Sequence, residues 1–426
     1  MVVFLKKVRV KTIFTAFDPV VVEPLELCCL KSVLNNIGVE SYIIDDLFNL
    51  NPPQNIVPDA IVLTGYNVAE NQILIDAKSY RQKFPHAKII AGGVHIQVNP
   101  DDFHSDFVDY VCHTPSMAAF SELIKSIKHG TETRIDGIDF RKGVASGSAW
   151  HKSPQKALKE RENVIPDRSL FRSLSHKLHY MEKRNVALIK GSTGCPYGCS
   201  YCCCKLLNGG NYIPADYEAM TDEMEKISAD YFWIVDDVLF SSRADALQFI
   251  EIINEKRLKV KIIGYLRADF ILKHGDLLPL LRAAGLVEAI VGFEATTNHE
   301  LDDYEKNTNA LDYPKVISLL KKNNIDLTAL FMVRPDYKIK DFTNLYKFIK
   351  KTGIEVYTVS MLTPLKGTTL YESMKDELLT DDPRKFDFLH PVLKTSLPKW
   401  MYILIFYGIQ LRLVKSDRVR KYLTGK

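Results

Sequence analysis

Three cysteines, Cys195, Cys199 and Cys202, stand three and two residues apart inside the stretch GSTGCPYGCSYCCCK. Pro196 and Gly198 keep that stretch from becoming helical, so the chain can curl and aim three thiols at one centre. Two more cysteines, Cys203 and Cys204, follow at once, which puts five of the chain's eight cysteines within ten positions. Soft thiolate sulfur suits iron, and a cubane cluster normally takes four protein thiolates. Three from one loop would leave one iron open to a substrate or cofactor. A structural zinc site would want a closed set of four ligands, often as two CxxC pairs. No second pair exists, and Cys28, Cys29 and Cys112 lie far away in sequence. Core packing is the third reading, and a Gly/Pro loop is a poor place for it. Cys203 and Cys204 fit either packing beneath the centre as small apolar groups or a part in substrate chemistry.

A reactive loop needs a rigid element ahead of it, and the apolar run VALIKG immediately precedes this one. Five further runs, YFWIVDD, VKIIGYL, VEAIVGFE, LTALFMV and EVYTVSML, alternate with helical stretches over 215–228, 242–256, 276–285, 311–323 and 340–352. Six such units are too few for a closed eight-stranded barrel and predict a partial (β/α)6 barrel over 185–375. Chemistry in such barrels sits at the C-terminal strand ends, where the cysteine loop begins.

The first 130 residues alternate in the same way, through VRVKTIF, EPLELCCLKSVLNNIG, VESYIID, DAIVLTG, NQILIDAKSYRQKF, AKIIAGG, FVDYVC and SMAAFSELIKSIKH. This predicts a flavodoxin-like (Rossmann-type) doubly wound domain over 1–130, an α/β unit with ligands beyond its strand ends. The segments to inspect are Phe17–Pro24, Thr64–Asn71 and Gly92–Pro100. Residues 131–184 are rich in Gly, Ser, Pro and charge and read as a linker with room for one small hairpin. Residues 376–426 read as a helical C-terminal extension.

CxxxCxxC after the first strand of a partial barrel, with Tyr201 ahead of the last cysteine, resembles the radical S-adenosylmethionine (radical SAM) superfamily. The resemblance implies that Cys195, Cys199 and Cys202 bind a 4Fe-4S cluster. Its open iron would chelate S-adenosylmethionine, whose one-electron cleavage gives a 5′-deoxyadenosyl radical. IVDDVLF resembles the family's acidic motif after the second strand, which implies that Asp236 and Asp237 hold the cofactor's amino group. A helix cap and a surface charge are the ordinary reading of the same pair. GYLRADFI carries Arg267 as the implied partner of the cofactor carboxylate. VGFEATTN implies close backbone approach at Gly292 and a ribose or methionine contact at Glu294.

YEKNT (Tyr304–Thr308) and LTPLKGTTLYE (Leu362–Glu372) resemble distal motifs of one subgroup, in which a cobalamin-binding domain precedes the barrel. KIIAGGVHIQVNPDDF resembles that domain's double-glycine loop, with Gly92 and Gly93 against the cobalamin and His95 nearby. The Asp-x-His-x-x-Gly motif that places histidine on cobalt is missing, which leaves Tyr66 or Asn67 beneath the ring. Arg334 replaces the subgroup's glycine after the fifth strand. The resemblance covers residues 8 to about 375. It implies a cobalamin-dependent methyltransferase acting on an unactivated carbon, or a cobalamin-binding cyclase, oxidase or rearrangement enzyme without methyl transfer. The implied partners are a small-molecule or lipid-like substrate and an external electron donor such as flavodoxin or ferredoxin.

Composition narrows the remaining classes. With 46% hydrophobic and 25% charged residues the chain is an ordinary globular protein. Its +4 net charge is too mild to argue for nucleic acid. The opening MVVFLKKVRVK lacks the apolar middle of a secretory signal, so a cytoplasmic location is the expectation. Between Trp400 and Val414 the chain is apolar but too short to span a bilayer. It reads as a helix closing the barrel's open side, or as an interfacial helix giving 400–426 peripheral membrane contact.

Overall fold

A computed structural model describes residues 1–10, 19–131, 134–143 and 149–424. The first sheet has seven strands: β1 (Val2–Lys7), β3 (Glu40–Ile44), β4 (Ala60–Thr64), β5 (Lys88–Gly92), β6 (Tyr110–Cys112), β7 (Ile138–Arg141) and β8 (Trp150–His151). Their spatial order is β3-β1-β4-β5-β6-β7-β8, with the first five parallel. β1 sends Val3 and Leu5 to one face and Phe4 to the other. Helices Leu25–Asn36 and Met117–His129 cover the first face and Glu70–Lys83 the second. Burial on both faces is why these strands are continuous apolar runs instead of alternating ones.

That rule also corrects the expected first strand. The first strand is Val2–Lys7; of the expected run Val8–Phe14, Val8–Val10 follow it outside any strand and residues 11–14 lie outside the described residues. The stretch read as a linker adds β7 and β8 antiparallel to the sheet edge, pairing Tyr110 with Phe140 and Phe140 with His151. Asp139, almost fully buried on β7, lies 2.9 Å from His104 Nε2 and 3.1 Å from His113 Nε2. These two contacts pin the added edge to the parallel strands.

The second sheet contains β11 (Val186–Ile189), β12 (Tyr231–Ile234), β13 (Ile262–Leu266), β14 (Leu286–Glu294), β15 (Asp326–Val333) and β16 (Val356–Met361). All are parallel and in sequence order, and β11 does not pair with β16, so the barrel is open. Helices pack outside the sheet in the largest core of the molecule. Inside, Tyr180, Val186, Ile263 and Ile290 fill the N-terminal end of the bore. Tyr180 arrives on β9 (His179–Tyr180), which pairs with β10 (Lys183–Arg184) and with β2 (Val20–Val21) from the first domain. Buried Glu288 closes the same end, pairing Lys183 at 2.7 Å and Arg418 at 2.8 Å. The helix Lys399–Leu411 lies against β16 and the helix Ile339–Thr352, covering the open side as expected.

One guanidinium bridges the two domains. Arg168 contacts Glu23 of the first domain and Glu223 of the barrel, all three nearly buried, and donates to Leu188 O at 2.7 Å. Leu188 N in turn donates to Glu23 Oε1 at 3.1 Å. Removing one partner of a buried charge cluster strands the others. Arg168→Leu should therefore cost about 3–5 kcal/mol, read as a lower urea midpoint. A loss below about 1 kcal/mol would show that the bridge is dispensable.

Candidate functional site

The cysteine loop leaves β11 and is fixed at its base by Asp236, which follows β12. The Asp236 carboxylate is fully buried and accepts Gly191 N at 2.8 Å and Ser192 N at 2.9 Å. Burial raises its pKa, against which those backbone donors stabilise the ionised form. Further along, Ser200 N donates to Tyr304 O at 3.2 Å, and Leu370 N donates to Ser200 O at 2.9 Å. Tyr197 stacks under the Arg267 guanidinium, 3.8 Å from its ring centroid. Four strand ends thus hold one loop.

All eight cysteines are free thiols, and Cys195, Cys199 and Cys202 line a single cavity of about 1730 Å³. Burial pushes the Cys195 thiol up to about 11, and Asp237, Cys202 and Cys199 push in the same direction. Ionising Cys195 there calls for added positive charge, which is what an iron–sulfur cluster supplies; the three thiols on one cavity wall fit it. Cys203 and Cys204 are half-buried and line the same cavity.

The other motif residues are placed less simply. Asp237 lines the cavity, and its Oδ2 is buried with no hydrogen-bond partner. Asp236 lines it too, but both its oxygens already hold the loop. Arg267 is engaged by Asp269, at 2.9 Å and 3.0 Å, and by Lys306 O at 2.9 Å. Its charge is therefore matched within the protein, and its clearest role is to carry Tyr197. Arg334 pairs with Asp303 and Asp336 and does not line this cavity.

Lys306, within the YEKNT motif, is a buried cation that the sequence did not single out. It lies 3.0 Å from Glu294 Oε1 and 3.3 Å from the Tyr201 hydroxyl. Burial, with Glu294 adding to it, keeps the Tyr201 phenol protonated. Glu294 sits at a register shift in β14 with a left-handed φ of 66°. Gly292 makes room for this pair: a Cβ there would overlap the Glu294 carboxylate and come within 3.2 Å of Lys306 Nζ. Lys306 has no periodic or spacing signature, which is why only the fold reveals it.

Across the cavity stands the C-terminal edge of the first sheet. Tyr66 is 58% exposed there, with Lys7 Nζ 4.4 Å from its ring centroid. Asn67 donates instead to Phe386 O at 2.8 Å, tying the C-terminal extension to the first domain. His95 Nε2 lies 3.0 Å from Glu70 Oε2 and faces the same space. Gly92 and Gly93 line a smaller slot of about 200 Å³ beside Thr64, Cys112 and Met117, and Gly93 has a φ of 124°. Of the loop Phe17–Pro24, Phe17 and Asp18 lie outside the described residues; Glu23 and Pro24 line the main cavity.

Residues 189–349 match the Radical SAM superfamily. The chain is 24% identical over 366 residues to hopanoid C-3 methylase of Methylococcus capsulatus, covering 85% of this chain and 68% of that protein. It is 24% identical over 364 residues to the anaerobic magnesium-protoporphyrin IX monomethyl ester cyclase of Cereibacter sphaeroides, covering 80% of this chain but only 57% of the cyclase. The fold superposes on that of the radical S-adenosylmethionine methyltransferase TsrM of Kitasatospora setae, solved with cobalamin and a [4Fe-4S] cluster bound. The TM-score is 0.70 at 15% identity, over 96% of this chain and 88% of that one. This likeness establishes the architecture of a doubly wound domain followed by a partial barrel.

The Gly292 geometry gives a double-mutant test. Gly292→Ala should cost about 1–3 kcal/mol by overpacking. In a Glu294→Ala background the same change should cost less than about 1 kcal/mol, because the carboxylate it collides with is gone. Equal costs in both backgrounds would refute the steric reading.

Proposed function

We propose that this protein, whose barrel is a radical SAM superfamily domain, is a cobalamin-dependent enzyme that methylates an unactivated carbon. One observation carries the reading: a single cavity has the three cluster cysteines on one wall and the C-terminal edge of the doubly wound sheet on the other. Two cofactors seated on those walls would share one substrate space, and domain interfaces are favoured ligand sites.

When bound, the cluster, S-adenosylmethionine and cobalamin supply radical generation and a transferable methyl group, chemistry that no side chain can perform on a C–H bond without acidity. The chain's own residues bind and orient. Cys195, Cys199 and Cys202 ligate the cluster. Asp237, with its unpartnered buried oxygen, receives the amino group of S-adenosylmethionine, while Asp236 keeps the loop in place. Lys306 and Glu294, a neutral buried pair beside Tyr201, offer one cation and one acceptor to the cofactor's carboxylate and hydroxyls. Arg267 positions Tyr197 and does not serve as the principal carboxylate partner. Gly92, Gly93 and the slot beside them would receive part of the cobalamin, with Tyr66, backed by Lys7, and His95, held by Glu70, as further residues that would hold it.

Trp233, Tyr265, Ile290, Leu330, Phe386 and Phe388 make the remaining wall largely apolar and aromatic, which suits a small, hydrophobic or lipid-like substrate. An external electron donor of the flavodoxin or ferredoxin type would supply the reducing electron. The similarity to a cyclase favours a second reading, oxidative or cyclising chemistry in the same cavity. Product mass separates them, since only methyl transfer adds a methylene.

Anaerobic reconstitution tests the assignment. The unaltered chain should take up about four iron and four sulfide. Cys199→Ala should lose both the cluster's visible absorption and all formation of 5′-deoxyadenosine. A Cys199→Ala chain that still forms 5′-deoxyadenosine would falsify the ligand set.

A further inference from the structure

One outer surface of the barrel takes no part in this chemistry. The helix Ile339–Thr352 buries Phe342, Leu345 and Ile349 and exposes Lys340, Lys347, Lys350 and Lys351 on the opposite side. Among the described residues no carboxylate pairs with any of these four lysines. The nearby acid Asp341 is committed to the helix start, accepting Lys338 N at 2.8 Å.

Beside it, the helix Lys399–Leu411 buries Tyr402, Phe406 and Ile409. Its opposite stripe leaves Trp400, Leu404 and Leu411 at 65%, 65% and 69% exposure. The spacing of those three returns to one side of a helix with a period of 3.6 residues. Two contacts lock the helices together: the Phe342 and Tyr402 rings meet edge-to-face at 5.2 Å, and the Arg412 guanidinium sits 3.9 Å from the Tyr346 ring centroid. Since each helix turns its apolar core face toward the barrel, the basic stripe and the apolar ridge face outward side by side.

We propose that this two-helix surface docks the protein onto an anionic lipid bilayer. Trp400, Leu404 and Leu411 enter the interfacial layer and the lysines meet the headgroups. A ridge of large apolar side chains next to unpaired lysines matches a surface that is itself charged outside and apolar beneath. Tryptophan favours that interface. The helix has 13 residues, and no described helix is long and apolar enough to cross a membrane, so it lies on the bilayer and does not span it. A second copy of this chain is a poor occupant, because like faces would set lysine against lysine.

Docking would also orient the cavity. The Tyr402 hydroxyl donates to Arg334 O at 3.0 Å, so the Trp400 end of its helix lies at the C-terminal strand ends, the level at which the cavity opens. Leu379 and Phe388, on the cavity wall, are 56% and 38% exposed. The delivery of a lipid-like substrate from the bilayer rests on the proposed function; the docking surface itself does not.

Sedimentation of the full chain with vesicles tests the docking. Phosphatidylcholine vesicles containing phosphatidylglycerol should carry the protein down, pure phosphatidylcholine should carry far less, and high salt should weaken the binding. Changing Lys347, Lys350 and Lys351 together to Gln should weaken it about a hundredfold. The separate variant Trp400→Ser with Leu404→Ser, at exposed positions that leave the core intact, should weaken it at least about tenfold. No sedimentation with anionic vesicles, or sedimentation unchanged in either variant, overturns the proposal. The readout needs no turnover, so its failure is distinct from a failure of the proposed chemistry.

Discussion

The molecule depends on two parallel sheets presenting their C-terminal edges to each other at a fixed separation. Parallel strands gather their ligand-binding loops at one edge, and neither edge alone encloses a substrate. Arg168 helps to set the separation by holding Glu23 and Glu223, one from each domain, in a largely buried cluster. Such a bridge contributes less to net stability than its Coulomb attraction suggests, because three charges are desolvated to form it. Its contribution is to geometry: any other arrangement of the domains would leave a charge buried alone.

Most of the architecture is legible because the five leading strands of the first sheet and all six of the second are parallel, so they are apolar runs spaced by helical periods. All six barrel strands fall where VALIKG to EVYTVSML place them. The first strand differs from the expected one because Val8–Phe14 has the more β-branched composition, whereas the core continuously buries Val3–Leu5. The polar stretch 131–184 leaves room for one small hairpin, and β7 and β8 pair as one; that it joins the sheet depends on Asp139 and two histidines, contacts made only in the fold.

The site was legible in proportion to how far each role depends on local sequence. Three thiols on one loop need no tertiary information, and they line one cavity. Acid–base partners do need it. Asp236 and Asp237 are neighbours in sequence, yet one faces backbone amides and the other carries an unpartnered oxygen. Arg267 is matched by motif position, and the fold adds what the motif does not show, its pairing with Asp269 two residues on. Lys306 lies within the YEKNT motif, but its role needs the fold, because its partners are distant in sequence: Glu294 ends β14 twelve residues earlier and Tyr201 lies on the loop after β11.

Asn67 has a consequence for how such proteins could be recombined. Its amide holds the carbonyl of Phe386, and Asn99 holds that of Lys366, so the first domain is stitched to chain segments that follow the last barrel strand. A chimera that grafted a foreign first domain at the obvious boundary near residue 184 would sever both stitches while leaving the cysteine loop of the barrel intact. The transplantable unit is therefore discontinuous: a leading domain together with the distal loops that it fastens.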